Sequence, residues 1–129
     1  MPEGHSSKTI IGYGTWMDKV AQRVIEREKR LGRSMDNLRT QAGIAASGIV
    51  HIGSVADSVR AYAISLAIRN LGYNSEMIQF ADDMDGLRSV PVDIPAETSK
   101  YLLHPVSLIP DPFKCHQSYA EHMEALLID

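Results

Sequence analysis

The chain has one cysteine in 129 residues. That excludes an internal disulfide and suits a reducing compartment, so a cytoplasmic setting is expected. No apolar run approaches the ~20 residues that span a bilayer, and no secretory signal pattern is present, so no membrane partner is expected. A basic excess is also lacking: 13 Lys and Arg stand against 16 Asp and Glu, for a formal charge of -3. A global positive field is therefore excluded as the footprint of a nucleic-acid binder. Internal repeats and low-complexity tracts are absent as well. What is there is ordinary for a globular protein, 44% hydrophobic and 22% charged, enough for one domain with one modest core. Residues 1–14 read as a loosely docked N-terminal arm and 15–129 as the folded part.

Periodicity supplies the elements. Thr15 and Asp18 mark a helix start, with Trp16, Val20, Ala21, Val24 and Ile25 at helical spacing and Gly32 at the end. Trp16 is expected to pack rather than to stack on a ligand. Arg23, Arg27, Lys29, Arg30 and Arg33 are interleaved with Glu26 and Glu28 and read as a solvated face. Leu38–Ala42 is predicted as a strand. From Ser54 to Leu71, Val55, Val59, Tyr62, Ala63, Leu66 and Ala67 form an apolar stripe, with Gly72 at the C′ position. Glu76–Ala81 is predicted as a second strand. Strand, loop, helix and strand in this order form a βαβ unit, for which a parallel, right-handed arrangement is expected.

The loop inside that unit is the most informative stretch: Gly43-Ile-Ala-Ala-Ser-Gly-Ile-Val-His-Ile-Gly-Ser54. Its small residues would let a ligand lie against the backbone, and the helix behind it offers N–H groups and a positive dipole end to an anion. His51 can add a hydrogen bond or a charge to a polyphosphate. A tight βα turn with a surface histidine fits the same residues. Asp82, Asp83 and Asp85 follow the second strand, where open α/β sheets gather ligand-binding groups. Carboxylates so close repel one another unless a cation compensates, and a substrate ammonium or Arg88 would serve. Solvated carboxylates and a turn cap are the plainer reading.

Pro91 to Pro112 holds five prolines and little periodic apolar sequence, which reads as an insertion on the sheet. Beyond it Asp111, Cys115, His116 and His122 are spaced D-x3-C-H-x5-H. One thiolate, two imidazoles and one carboxylate suit tetrahedral Zn²⁺, and the thiolate disfavours Mg²⁺ or Ca²⁺. Such a closed site would be structural and would pin the insertion to the last helix, roughly Gln117–Ile128. A free cysteine with two unrelated histidines is the alternative.

These motifs, taken in order, resemble class I lysyl-tRNA synthetase. The resemblance is carried by Trp16-Met-Asp-Lys-Val-Ala, Ile25-Glu-Arg-Glu, Ala42-Gly-Ile, the H-x-G-x of His51–Ser54, Asp82-Asp83, Arg88-Ser-Val-Pro and Ile109-Pro-Asp-Pro-Phe-Lys-Cys-His-Gln-Ser-Tyr-Ala-Glu-His122. It implies the N-terminal portion of a Rossmann-like, doubly wound α/β catalytic domain, incomplete here, with a zinc-stabilised insertion. It implies ATP along Ser47, Gly48, His51, Gly53 and Ser54, with His51 on the phosphates, and Mg²⁺ accompanying the ATP. Substrate contacts are implied at Gly43, Ala45, Asp82 and Asp83, and zinc at Asp111, Cys115, His116 and His122. Many relatives carry Thr-Pro where this chain has Ala45-Ala46.

The expected activity is ATP-dependent activation of lysine and its transfer to tRNA(Lys). A K-M-S-K-S-like loop and an anticodon-binding region, which the resemblance would supply, are not in the sequence. The chain is therefore expected to be an N-terminal fragment, inactive alone. The competing expectation is a non-catalytic zinc-containing module that binds ATP or tRNA, or a half-enzyme working with a separate partner.

Overall fold

The computed structural model describes residues 14–128. The arm at residues 1–14 therefore lies, but for Gly14, outside the described residues. The chain divides into two compact units, one made of the residues up to Ala42 together with Asp57–Gln79, the other of Gly43–Ala56 and the residues from Phe80 onward. Helix α1 (Trp16–Arg30), strand β1 (Leu38–Ala45), helix α2 (Ile52–Asn70), strand β2 (Ser75–Asp82) and helix α3 (Tyr119–Ile128) follow in order. The two strands pair side by side in a parallel two-stranded sheet.

In the first unit α1 starts where the Asp18 carboxylate accepts both the Thr15 N–H, at 2.9 Å, and the Thr15 hydroxyl, at 3.0 Å. It ends at Gly32, whose φ of +63° only a glycine adopts easily. Ala21 and Ile25 pack with Leu38, Ala67 and Ile68 in the core. Trp16 does not join them: it is 52% exposed. At 3.6 residues per turn it sits about 140° around the helix from Ala21, off the buried stripe.

On α2 the buried positions are Ala61, Ser65, Ala67 and Ile68, whereas Val59 and Tyr62 are exposed. Of the expected apolar stripe Ala67 is buried and Val55, Ala63 and Leu66 are half-buried. Three small residues share the buried face with Ile68, and Thr40 of β1 donates its hydroxyl to the Ala61 carbonyl at 2.8 Å. Ser65 and Ser75, both buried, share a hydroxyl hydrogen bond of 2.9 Å. Arg39 and Asn37 both reach the Glu76 carboxylate, at 2.7 and 2.9 Å, and Arg39 first among several causes lowers the Glu76 pKa.

Strand β1 runs on through Gly43 and Ala45, and β2 begins at Ser75 and includes Asp82. Gly43 and Ala45, expected in the loop, are therefore strand residues. The ring of Phe80 lies over Gly43, where a Cβ would meet its Cε2 at 2.9 Å and the ring would have to shift.

The second unit holds its own core: Ala46, Leu87, Ile94, Val106, Ile109, Tyr119, Ala120 and Met123. Residues 83–87 pair with 103–107, the Val106 and Ser107 N–H groups donating to the Asp85 and Asp83 carbonyls at 3.0 and 2.9 Å. Short 3-10 turns at Ala96–Tyr101 and Val106–Leu108 follow. The proline-rich segment is therefore not short of apolar anchors. Ile94, Val106 and Ile109 are nearly or fully buried, at spacings set by turns rather than by a helical or strand period.

Candidate functional site

Two groups of predicted residues lie in the second unit. The first is the β1–α2 loop. His51 stands immediately before α2 and turns its ring back over the helix start, so Nδ1 accepts the N–H groups of Gly53 and Ser54 at 3.1 and 3.3 Å. The Ser54 hydroxyl closes the exchange, accepting the His51 N–H at 2.9 Å and donating to the His51 carbonyl at 2.8 Å. This is a capping box with histidine in the N-cap role and serine in place of glutamate. Gly53 is small because of the ring. A Cβ there would sit 3.0 Å from both Cε1 and Nδ1 of His51.

Two consequences follow. The N–H groups of Gly53 and Ser54, expected to be free for an anion, are taken by the chain itself. A ring accepting at Nδ1 carries its proton at Nε2 when neutral, and that N–H is left as a donor on an exposed side chain.

Upstream, Ala46 is buried and Ser47 and Gly48 half-buried. The Ser47 carbonyl accepts the Tyr119 hydroxyl at 2.7 Å. A Cβ on Gly48 would lie 3.3 Å from Cγ of Pro91. Tyr119 is fully buried, and burial pushes its hydroxyl up to about 12. Sequence reasoning gave this tyrosine no role, although it stands in the string from Asp111 to His122. Asp82 and Asp83 are exposed at the end of β2, Asp85 is half-buried, and among the described residues no ion pair joins the three to Arg88.

The second group is brought together tightly. Cys115 Sγ lies 3.2 Å from His116 Nδ1, 3.1 Å from His122 Nδ1 and 3.3 Å from Asp111 Oδ2. His116 Nδ1 and His122 Nδ1 are 3.3 Å apart. Asp111 Oδ2 is 3.3 Å from His122 Nδ1 and 3.8 Å from His116 Nδ1. Those six separations are the edges of a slightly distorted tetrahedron. A regular one with edges of about 3.3 Å has its centre about 2.0 Å from each corner, the length of a Zn–N or Zn–O bond. The donor set and its spacing fit a four-coordinate divalent ion of the zinc type.

The backbone builds this cluster. Asp111 has a fully buried carboxylate. Burial raises its pKa, but N–H donors from Phe113, His116 and Cys115 outweigh that and hold it well below the usual range. Their distances are 2.9, 2.8 and 2.9 Å. Lys114 turns through φ +61° to aim them. Desolvation first and Asp111 second push the Cys115 thiol up. The ring of Phe113 stacks on His122 at 4.7 Å. Tyr119 N–H to the Ile109 carbonyl, 2.8 Å, closes the base of the loop.

In the first unit, a depression of about 410 Å³ lies at the N-terminal ends of both strands, lined by Asp36, Asn37, Arg69, Asn74, Ser75 and Glu76. Its polar groups largely satisfy one another, as Arg69 to the Ser75 carbonyl at 2.6 Å illustrates. Among the described residues no helix is long and apolar enough to cross a membrane.

Residues 14–129 match the family described as tRNA synthetases class I (K), and the chain belongs to that family. It resembles the N-terminal part of the lysine-specific members. A lysine–tRNA ligase of Cenarchaeum symbiosum (strain A) is 50% identical over 92% of this chain and 23% of its own length. The lysine–tRNA ligase of Pyrococcus furiosus is 40% identical over 86% of the chain and 20% of its own. That of Treponema pallidum is 33% identical over 84% and 20%. The chain thus spans about a fifth to a quarter of the length of these curated relatives.

Proposed function

We propose that this chain forms the N-terminal, ATP-binding portion of a lysine–tRNA ligase, with residues 15–129 part of its catalytic domain in the cytoplasm. The longer protein would activate lysine with ATP, accompanied by Mg²⁺, and pass it to tRNA(Lys). The observation that carries this reading is the His51 cap at the start of α2, in a chain belonging to this family.

The reaction joins a lysine carboxylate to the α-phosphate of ATP and releases pyrophosphate. Negative charge builds on the phosphate oxygens as it proceeds, and positioned donors that need not reorganise stabilise it most. His51 Nε2–H, held by the Nδ1 contacts and lying at the positive end of α2, is such a donor. Ser47, Gly48, Gly53 and Ser54 shape the backbone against which the nucleotide lies. Gly43 and Ala45, at the end of β1, leave room for substrate. Asp82 and Asp83 supply charge for the lysine ammonium.

Asp111, Cys115, His116 and His122 would hold Zn²⁺ as a structural ion, all four positions being filled by protein. Its contribution is to tie the proline-rich segment to α3, beside the aliphatic core that already anchors it.

Lysine-dependent ATP–pyrophosphate exchange tests the proposal, measured on this chain and on a protein carrying it at the full length of its relatives. In the longer protein His51→Ala is expected to lower the rate about 10²-fold, the loss of one transition-state donor. An unchanged rate overturns the assignment of His51.

A further inference from the structure

We propose that Tyr119 is a positioning residue for the β1–α2 loop, clamping Ser47 to the turn of α3 that also carries His122. What the loop binds rests on the ATP reading above; the clamp itself rests on geometry.

Three successive loop residues are fixed by the segment after β2 rather than by their own helix. Ala46 is buried in the core that Tyr119, Ile94, Val106 and Ile109 build. The Ser47 carbonyl takes the Tyr119 hydroxyl at 2.7 Å, across 72 residues of chain. Gly48 stands against Pro91 with no room for a larger side chain unless the proline shifts. The loop therefore has little freedom that is independent of α3.

Tyr119 is the first residue of α3, and its backbone N–H is bonded to Ile109. His122 follows within one turn, its own N–H donating to the Ser118 carbonyl at 3.2 Å. A displacement of that turn moves the His122 ring and the Tyr119 hydroxyl together. Order in the four-residue cluster is thereby order in the Ser47 loop. A core position filled for packing alone would need the ring but not the hydroxyl, and Tyr119→Phe separates the two.

The experiment is amide hydrogen exchange on this chain loaded with one equivalent of Zn²⁺, with segments 38–42 and 61–68 as internal references. In Tyr119→Phe, exchange over 46–51 should rise about tenfold, the loss of one well-made hydrogen bond, with zinc content and the references unchanged. Chelating the wild-type chain should loosen the same segment, and chelating the variant should add less than it does in wild type. The ATP affinity of the variant should fall by a similar factor.

Exchange over 46–51 within twofold of wild type in the variant overturns the clamp. So does an unaltered loop in the chelated wild-type chain, a measurement that needs no variant. Added ATP separates the two readings. If ATP slows exchange in the wild-type loop but the variant exchanges normally, the clamp alone falls. If the variant loosens the loop but ATP protects nothing, the nucleotide reading alone falls.

Discussion

Replacing Gly53 by alanine sets two effects of similar size against each other. The new Cβ would sit 3.0 Å from two atoms of the His51 ring, so the ring must give by a few tenths of an ångström over α2. The bonds from the Gly53 and Ser54 N–H groups to Nδ1, already 3.1 and 3.3 Å, then lengthen, and at the limit are lost. Loss of an N-cap costs about 0.5–2 kcal/mol. Alanine returns about 0.4–1 kcal/mol by restricting the unfolded chain, and Gly53 has no positive φ to forbid it. The net change in stability is therefore expected to lie between a gain of about 0.5 and a loss of about 1.6 kcal/mol. The proposed donor, however, is no longer held in position. In a full-length protein lysine-dependent pyrophosphate exchange should drop toward the His51→Ala level, about 10²-fold. Urea unfolding followed by circular dichroism measures the first quantity, and ¹⁵N shifts of the His51 ring report whether Nδ1 still accepts. A Gly53→Ala protein with the wild-type ring signature and an exchange rate within twofold of normal refutes the reasoning. So does a loss of stability beyond 2 kcal/mol, which no effect named here supplies.

Two further outcomes follow from the second unit. Purified chain should carry one Zn²⁺, and chelation or Cys115→Ser should lower the thermal midpoint without abolishing the fold, because Leu87, Ile94, Val106 and Ile109 form a core that includes none of the four ligands. Mass spectrometry showing no bound zinc, or complete unfolding on chelation, would contradict this. At alkaline pH Tyr119 contributes a pH dependence of its own, its hydroxyl being raised from 10.0 to about 12 by burial. Above pH 10 the unfolded chain gives up this proton and the folded one keeps it. Stability is therefore present in full below pH 10 and declines up to about pH 12, by some 2–3 kcal/mol in total. Alkaline unfolding curves of wild type and Tyr119→Phe should diverge over that window, and parallel curves would contradict the assignment.

The βαβ unit was legible because its information is local. Leu38 to Ala42, the small-residue loop and Glu76 to Ala81 each announce themselves within a few residues, and the strands differ from expectation only at their ends. The spacing of Asp111, Cys115, His116 and His122 likewise encodes their convergence, since all four sit on one loop and one helix start. Less legible was which face of α2 is buried, because Ala61 and Ser65 are not hydrophobic enough to advertise it. The apolar anchoring of the proline-rich segment was hidden for a related reason: Ile94, Val106 and Ile109 obey turns, not a period. The ring contacts of His51 depend on a side-chain rotamer, on which sequence spacing is silent. The bond from Tyr119 to Ser47 joins residues with no local relation at all.

The two cores have different histories on a growing chain. Everything the first one needs is present once Gln79 has emerged from a ribosome. The second contains Ala46 but waits for Tyr119, Ala120 and Met123. At ~5–20 residues per second that delay lasts a few seconds. During it the β1–α2 loop has been synthesised yet has neither its apolar seat nor the hydroxyl that fixes Ser47. The β1–α2 loop is thus made well before the residues that fix it, and a pause or a break before α3 would leave it without them.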